Sequence, residues 1–268
     1  MPTIELTPAL REEYGKLFNS CLISQEKARM VEHIIENILG NQSRYQTVGE
    51  PFGAPWYVIA VIHNNESSLN FNTHLHNGDP LTARTIHFPP GRPKDGDPPF
   101  NWEDSAKDAI QMQGLDQWTN WSLAGTLYQL ERYNGWGYRL YHPHVLSPYL
   151  WSGSNHYHCG QYIKDGVWSD TAVWQQCGAA VVLRRMVEKH QVEFSDQPYP
   201  AATAAPLVSR FSRVMPTRAD EVTKTKELQY WLNTFPGIFL KVDGIPGDMT
   251  SETFKTVTGH FLPDDPRA

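Results

Sequence analysis

The chain has 268 residues, of which 40% are hydrophobic and 19% charged, which is the composition of a globular protein. Its length suits one large domain or two smaller ones. The formal net charge of -6 and the lack of a basic tract argue against a nucleic-acid partner, because phosphate binding depends on Lys and Arg. No apolar run reaches the ~18 residues of a membrane span, and the N-terminus lacks the apolar stretch of a secretory signal. We therefore expect no membrane partner and synthesis in the cytoplasm.

The first part of the chain carries the apolar spacing of helices. Apolar residues recur at helical spacing after Ser24, which we expect to cap a helix that ends at Gly40. The stretch from Ala54 to Glu66 is apolar on every side until its last residues, and Pro55 suits the first helical position. This stretch predicts a buried central helix that ends on a carboxylate.

The middle of the chain alternates between irregular and helical segments. Residues 75–101 hold several prolines and glycines and predict a long irregular excursion or a small hairpin. Asn101 is expected to cap a helix at about 102–113, and another helix should follow at about 121–132. Residues 133–170 are rich in Gly, Tyr, His and Ser, which predicts loops.

A change in composition divides the chain. Asp170 is expected to cap the last helix before this change. Residues 191–216 place four prolines among Ala, Ser and Thr, which predicts a linker or a wrapping extension, and 217–262 predict a compact helical segment. We therefore expect a mostly helical chain with domains at 1–190 and 217–268.

Glu66 lies where the apolar helix gives way to polar residues. A glutamate at such an edge is partly removed from water, which raises its pKa. A general acid for glycosidic cleavage needs a raised pKa, because it must keep its proton near neutral pH. A surface glutamate in a salt bridge is the alternative for an isolated Glu.

Two short motifs connect this glutamate to known families. Residues 61–71 read Val-Ile-His-Asn-Asn-Glu-Ser-Ser-Leu-Asn-Phe, and 131–139 read Glu-Arg-Tyr-Asn-Gly-Trp-Gly-Tyr-Arg. The first resembles the glutamate–serine motif of lytic transglycosylases and goose-type lysozymes, and the second resembles the Tyr-Asn-Gly segment that lines the same cleft. The resemblance covers about 54–190 and implies a lysozyme-like fold with Glu66 as the catalytic acid. Residues 74–82 replace the Gly-Leu-Met-Gln-type loop of the transglycosylases, so hydrolysis and transglycosylation both stay open.

Asp79 is the candidate for a second catalytic carboxylate. It lies in a Gly-Asp-Pro turn, and the resembling goose-type enzymes carry aspartates in the comparable loop. Inverting glycosidases hold a base ~6.5–9.5 Å from the acid, with a water between them. Asp before Pro is also common in ordinary turns, and Asp95, Asp97 and Glu103 are the next candidates.

The same regions mix aromatic rings with amides and hydroxyls, which is typical of a sugar-binding wall. Rings stack on the faces of sugars and polar groups orient them. The candidate substrate-binding residues are Ser67, His76, Asn77, Tyr133, Asn134, Tyr138, Arg139, Tyr149, Trp151 and Asn155.

Three His-x-His pairs raise the question of a metal site. They begin at His74, His142 and His156. A zinc site needs at least three converging ligands, and no convincing third ligand accompanies these pairs. We expect no metal and no cofactor. A zinc-dependent amidase or peptidase that cuts the stem peptides of the wall is the alternative that such pairs would serve.

The C-terminal segment contains a distinctive turn. Residues 240–250 read Leu-Lys-Val-Asp-Gly-Ile-Pro-Gly-Asp-Met-Thr. The glycines permit positive φ, and Thr250 is expected to cap the following helix. With Gln229 and its neighbours in the preceding helix, this turn resembles that of a three-helix peptidoglycan-binding module over residues 223–261.

Together the motifs imply an endolysin-like muramidase. It would combine a lysozyme-like helical domain with a small three-helix module, and its partner would be bacterial peptidoglycan. The resemblance implies that Glu66 cuts the β-1,4 bond between N-acetylmuramic acid and N-acetylglucosamine, and we expect a monomer that reaches the wall after release from the cytoplasm. A lytic transglycosylase with anhydro products and a non-catalytic wall-binding protein are the remaining alternatives.

Overall fold

The structure is a computed structural model that describes residues 4–164, 166–194, 208–235 and 237–268. These residues form eleven α-helices and one two-stranded antiparallel sheet, which confirms the mostly helical class. Within the same ranges no helix is both long and apolar enough to cross a membrane.

The chain divides into two compact units. The first comprises Met1–Leu17 and Ile23–Met186, and the second comprises Phe18–Leu22 and Val187–Ala268. The helices are α1 (Pro8–Asn19), α2 (Ala28–Gly40), α3 (Gln42–Gly49), α4 (Trp56–Ser67), α5 (Trp102–Met112), α6 (Leu123–Asn134), α7 (Gly137–Tyr141), α8 (Pro148–Trp151), α9 (Ala179–Glu188), α10 (Ala219–Leu232) and α11 (Asp248–Thr258). Strands β1 (Gln161–Lys164) and β2 (Val167–Ser169) form a hairpin.

The core of the first unit forms around α4, whose residues from Val58 to Asn65 are all buried. Helix α3 contacts both α4 and α5. The predicted central helix is therefore confirmed, although Pro55 occupies the N-cap position and Trp56 is the first helical residue. Helix α2 begins at Ala28 rather than after Ser24, because residues 25–27 form a turn in which the N–H groups of Lys27 and Ala28 bond to carbonyls three residues back.

The segment between α4 and α5 is irregular, which confirms the first of the two predicted alternatives for residues 75–101. Asn101 caps α5 as predicted, because its side-chain oxygen accepts the N–H of Asp104 at 2.8 Å.

Two predictions for the region before α9 were wrong. Residues 133–170 are not all loop, since they contain α7, α8 and the hairpin. The hairpin is held by packing that local composition does not reveal, and the Trp168 ring stacks on His142 with centroids 3.5 Å apart. Asp170 caps no helix, because α9 begins only at Ala179. The Asp170 carboxylate instead accepts the indole N–H of Trp168 at 2.7 Å.

The second unit contains α10 and α11, whose apolar faces share a core. The buried members of this core are Leu228, Leu232, Phe235, Ile238, Leu240, Phe254, Val257 and Leu262. Residues 208–235 and 237–268 contain two helices where three were predicted. The stretch between them cannot continue a helix, because Gly244 has φ +83° and Pro246 follows it.

Gln229 of α10 organises the turn between these helices. Its amide oxygen accepts the N–H groups of Asp243 and Gly244 at 3.0 and 2.9 Å, and its amide nitrogen donates to the side-chain oxygen of Thr250 at 3.1 Å. Thr250 is buried and donates to the Ile245 carbonyl at 3.2 Å. It is therefore not the cap of α11, a position that Gly247 occupies.

The limits of the second unit differ from the predicted domain boundaries. Phe18 belongs to it because its ring packs edge-on against Phe239, with centroids 4.8 Å apart. Half of the predicted linker, residues 195–207, lies outside the described residues. Ser209, in the part of the linker that is described, packs against the middle of α10, since its buried hydroxyl lies 2.9 Å from that of Thr225.

Candidate active site

Glu66 occupies the last turn of α4, where the buried helix meets solvent. The helix ends here because Ser68 and Leu69 adopt positive φ values of 51° and 60°. Their N–H groups close the turn on the carbonyls of Asn64 and His63, at 3.0 and 3.3 Å. The Glu66 side chain is half-buried.

Burial dominates the chemistry of Glu66. It raises the pKa of the carboxyl group to about 7, because the charged form loses water, while a hydrogen bond from Tyr149 acts in the opposite direction. The Tyr149 hydroxyl donates to one carboxyl oxygen at 3.0 Å. No lysine, arginine or histidine of the described residues forms an ion pair with Glu66. A larger fraction of Glu66 is therefore protonated near neutral pH than of an ordinary glutamate.

Two tyrosines flank the carboxyl group. Burial, followed by the charge of Glu66, raises the pKa of both Tyr133 and Tyr149 well above the ordinary value, so both stay neutral donors. The Tyr133 hydroxyl donates to the Leu75 carbonyl at 3.1 Å, which ties the end of α6 to the segment after Glu66. The predicted residues Glu66, Tyr133 and Tyr149 are thus brought together.

Helix α4 also positions Tyr149 through a residue that the sequence did not single out. The Asn65 side chain donates to the Tyr149 carbonyl at 2.9 Å and accepts from Asn64 at 3.0 Å. One helix therefore carries the acid and, through Asn65, holds the backbone of its hydrogen-bonding partner. The two asparagines directly before Glu66 were the only sign in the local sequence that α4 makes polar contacts here.

Asp79 is buried, and its carboxylate is fully engaged by its own loop. One oxygen accepts the ring N–H of His87 at 2.6 Å, and the other accepts the backbone N–H groups of Ile86 and His87 at 2.8 and 3.0 Å. The Asn77 amide adds a bond at 3.2 Å. Burial alone would raise the pKa of Asp79, but the bonds from His87 and Ile86 outweigh it and lower the pKa to about 2. A carboxylate this acidic is a weak base.

The loop that carries Asp79 lies against the end of α4. Gly78 has φ +79°, and a Cβ built on it would lie 3.1 Å from the Glu66 carbonyl oxygen. Glycine allows both this conformation and this close approach. The other candidate carboxylates are placed differently: Glu103 pairs with Arg44 at 2.6 Å, and Asp97 is 99% exposed.

Three predicted substrate-binding residues near Glu66 have internal partners. The Ser67 hydroxyl donates to the His63 carbonyl at 3.2 Å, one turn back in α4. His76 has a fully buried side chain whose Nε2 lies 2.7 Å from Asp108. The Asn77 amide donates to the carbonyl of His87 at 3.1 Å. These contacts favour structural roles over direct contact with a substrate.

The residues from the end of α6 onward line a cavity or form ion pairs. Asn134 and Tyr138 border a cavity of about 450 Å³ whose other lining includes Tyr162 of the hairpin. Arg139 lies elsewhere, because it pairs with Glu131 and Glu13, each at 2.9 Å. Of the predicted substrate-binding residues, Asn134 and Tyr138 line this cavity and Glu66 is not part of its lining, whereas Arg139 is occupied within the fold.

Three of the predicted substrate-binding residues lie in or just after α8, and one of them, Tyr149, contacts Glu66. Tyr149 bonds Glu66, but Trp151 is 1% exposed. The Trp151 ring packs edge-on against His156 at 5.3 Å, as a core residue does. Asn155 is exposed.

The histidine pairs do not converge on a metal-binding arrangement. In the described ranges no group of three or more His, Cys, Asp or Glu is placed to hold a metal ion. His74 and His76 show what such pairs do here: Nδ1 of His74 lies 2.7 Å from the Ser105 hydroxyl, and His76 bonds Asp108.

Comparison with known proteins adds no assignment, because no family model, no curated protein and no solved structure matches the chain.

The sequence also gave no indication of Asp108, which lies on α5 and is hydrogen-bonded by the side chains of His76 and Arg92 at 2.7 and 3.2 Å. A carboxylate on the polar side of an ordinary helix gives no local signal of this role.

Proposed function

We propose that the chain is a peptidoglycan glycosidase of the lysozyme-like type, with Glu66 as its general acid. The observation that carries this proposal is the state of Glu66: a half-buried carboxyl group without a cationic partner among the described residues, whose pKa is raised to about 7. A glycosidase needs such a group to protonate the leaving oxygen. The mostly helical fold is compatible with a lysozyme-like domain.

The reaction begins with a proton transfer. Glu66 gives its proton to the oxygen of the β-1,4 bond, the bond to the anomeric carbon breaks, and the glucosaminyl unit leaves as an alcohol. Positive charge develops on the muramoyl ring, and the new Glu66 carboxylate faces it. The Tyr149 hydroxyl, 3.0 Å from Glu66, stabilises that carboxylate.

The second step requires a nucleophile and a group that accepts its proton. The four hydrogen bonds to Asp79 and its pKa of about 2 argue against Asp79 as that base. The Glu66 carboxylate formed in the first step can accept a proton either from water, which gives hydrolysis, or from the C6 hydroxyl of the sugar, which gives an anhydro product. Either route balances, because the proton returns to Glu66.

The second unit serves, in this proposal, as the wall-binding module. Its support is the Gln229-centred turn, in which one buried side chain bonds both N–H groups of the Asp243-Gly244 pair. Binding to the wall raises the effective concentration of the glycan at Glu66. The proposal includes action on the wall after release from the cytoplasm, as a monomer.

Product analysis tests the proposal. The chain is incubated with purified peptidoglycan, with and without chelator, and the soluble products are identified by mass spectrometry. We expect glycan fragments with muramic reducing ends or 1,6-anhydro ends, in equal amounts with and without chelator. Release of stem peptides that chelator abolishes would assign the chain to the zinc amidases or peptidases, and binding without any product would make it a wall-binding protein.

A further inference from the structure

The Thr85–Arg92 loop has a tip that is both apolar and exposed. Ile86 is 77% exposed and Phe88 is 87% exposed. Each would gain free energy from burial, so a loop that holds both in solvent has a surface that suits a binding partner.

Hydrogen bonds within the loop fix its shape. The Thr85 N–H donates to the Arg92 carbonyl at 2.8 Å, and the Gly91 N–H donates to the Thr85 carbonyl at 2.7 Å. The Thr85 hydroxyl donates to the Pro89 carbonyl at 2.6 Å and accepts the Arg92 N–H at 2.9 Å. The tip is therefore presented in one conformation, which lowers the entropy cost of binding.

Two carboxylates, the buried Asp79 and the half-buried Asp108, attach the loop to neighbouring parts of the first unit. The Asp79 carboxylate accepts the N–H groups of Ile86 and His87, which lie before and after the Ile86 side chain in the backbone. Asp108 of α5 accepts from the Arg92 guanidinium at 3.2 Å. Since Gly78 lies against the Glu66 carbonyl, the attachment point is beside the candidate catalytic residue.

We propose that the Thr85–Arg92 loop is a substrate-binding element of the Glu66 site, in which Ile86 and Phe88 pack against the C–H faces of the glycan strand. Asp79 is then a positioning residue that acts through the loop. This inference rests on the proposed function. A glycan is favoured over other partners for two reasons. The loop is anchored by Asp79, and the neighbouring Gly78 lies against the end of α4 that carries Glu66. Sugar rings also offer apolar faces to aromatic and aliphatic side chains.

The test separates binding from cleavage. Ile86→Ser and Phe88→Ser are made in the wild-type chain and in a Glu66→Gln background. Ile163→Ser is the matched control, because Ile163 is 57% exposed in the same unit. Binding of peptide-free glycan strands is measured in the Glu66→Gln background, and KM and kcat for cleavage are measured in the wild-type background.

We expect each tip variant to weaken glycan binding and raise KM roughly tenfold, with kcat and thermal stability kept, and the control to change neither. Equal effects of Ile86→Ser and Ile163→Ser would overturn the proposal. So would loss of binding to vesicles of anionic phospholipid with unchanged glycan binding, because the loop would then be a membrane contact. Failure of the wild-type chain to cleave any glycan would refute the proposed function itself, independently of the tip variants.

Discussion

Glu66 and Asp79 lie on neighbouring segments, yet their surroundings give them opposite protonation states. Glu66 receives one hydrogen bond, from Tyr149, and burial raises its pKa to about 7. Asp79 is also buried, but bonds from His87 and Ile86 overcome that burial and lower its pKa to about 2. The hydrogen bonds that Asp79 receives therefore account for the difference between the two pKa values.

Glu131 is a second buried glutamate whose pKa is raised. It is 3% exposed, and burial raises its pKa although Arg139 and Tyr14 oppose the shift. Its oxygens accept from Tyr14 at 2.5 Å and from Arg139 at 2.9 Å. The Glu131 carboxyl group is engaged by internal partners although its pKa is raised, so burial alone does not identify a catalytic acid.

The largest expected effect is that of Glu66→Gln on cleavage. The amide has nearly the same shape but no transferable proton, so we expect a loss of ~10²–10⁴-fold in the release of reducing ends or anhydro ends from purified peptidoglycan. Circular dichroism should show an unchanged fold. Activity within tenfold of the wild type would remove Glu66 from the mechanism.

Asp79→Asn should have a smaller effect and a different signature. The amide oxygen of Asn can still accept the backbone N–H groups of Ile86 and His87, but the amide nitrogen cannot accept the His87 ring N–H. The loop loosens, and KM should rise roughly tenfold while kcat falls less. The pH profile of kcat should keep its shape. A fall of ~10²–10⁴-fold in kcat with constant KM would instead identify Asp79 as the catalytic base.

Stability should depend on pH through Glu66. The pKa is higher in the folded state than the ordinary 4.5, so the folded chain binds more protons than the unfolded chain and the free energy of unfolding falls as pH rises from about 4.5 to about 7. Glu66→Gln removes this loss and should stabilise the chain by roughly 1–3 kcal/mol at pH 8, with little effect at pH 4.

Glu103→Gln is the matched control for that measurement. Its pairing with Arg44 lowers the pKa of Glu103, so its contribution is present above the unfolded pKa and is lost on acidification. Glu103→Gln should therefore destabilise the chain by ~0.5–1 kcal/mol at pH 8. Urea unfolding at both pH values measures the two variants, and shifts of the same sign would contradict the contrast between them.

The smallest expected effect is that of Tyr149→Phe on the pH profile. The Tyr149 hydroxyl stabilises ionised Glu66, so its removal should raise the pKa of Glu66 and move the alkaline limb of kcat/KM to higher pH. Tyr133→Phe is the control, because that hydroxyl donates to the Leu75 carbonyl. A shift to lower pH in Tyr149→Phe would show that the hydrogen bond stabilises the protonated form.

Local signals predicted the features that local chemistry determines. The apolar stretch before Glu66 predicted α4, its end predicted a pKa raised by burial, and Asn101 predicted the start of α5. Each depends on residues within one or two turns of the chain. The start of α9 was missed because residues 173–178 carry the apolar spacing of a helix but are not helical.

The role of Asp79 could not be predicted in the same way. Its donors, Ile86 and His87, come from a loop without secondary structure, and a Gly-Asp-Pro turn gives no indication of which groups will face the carboxylate. The attachment of Arg92 to Asp108 on α5 likewise depends on tertiary packing. The sequence therefore identified both carboxylates as candidates, and only their surroundings in the fold show that their pKa values shift in opposite directions.

The proposed role of Glu66 depends on a pKa that burial raises toward neutrality. Carbon-13 NMR of chain labelled at the glutamate carboxyl carbons measures this directly, with the Glu66 signal assigned by its absence in Glu66→Gln. We expect a titration midpoint near 7 for Glu66. A midpoint at the ordinary value of about 4.5 would rule out Glu66 as the proton donor, because Glu66 would then be ionised at neutral pH.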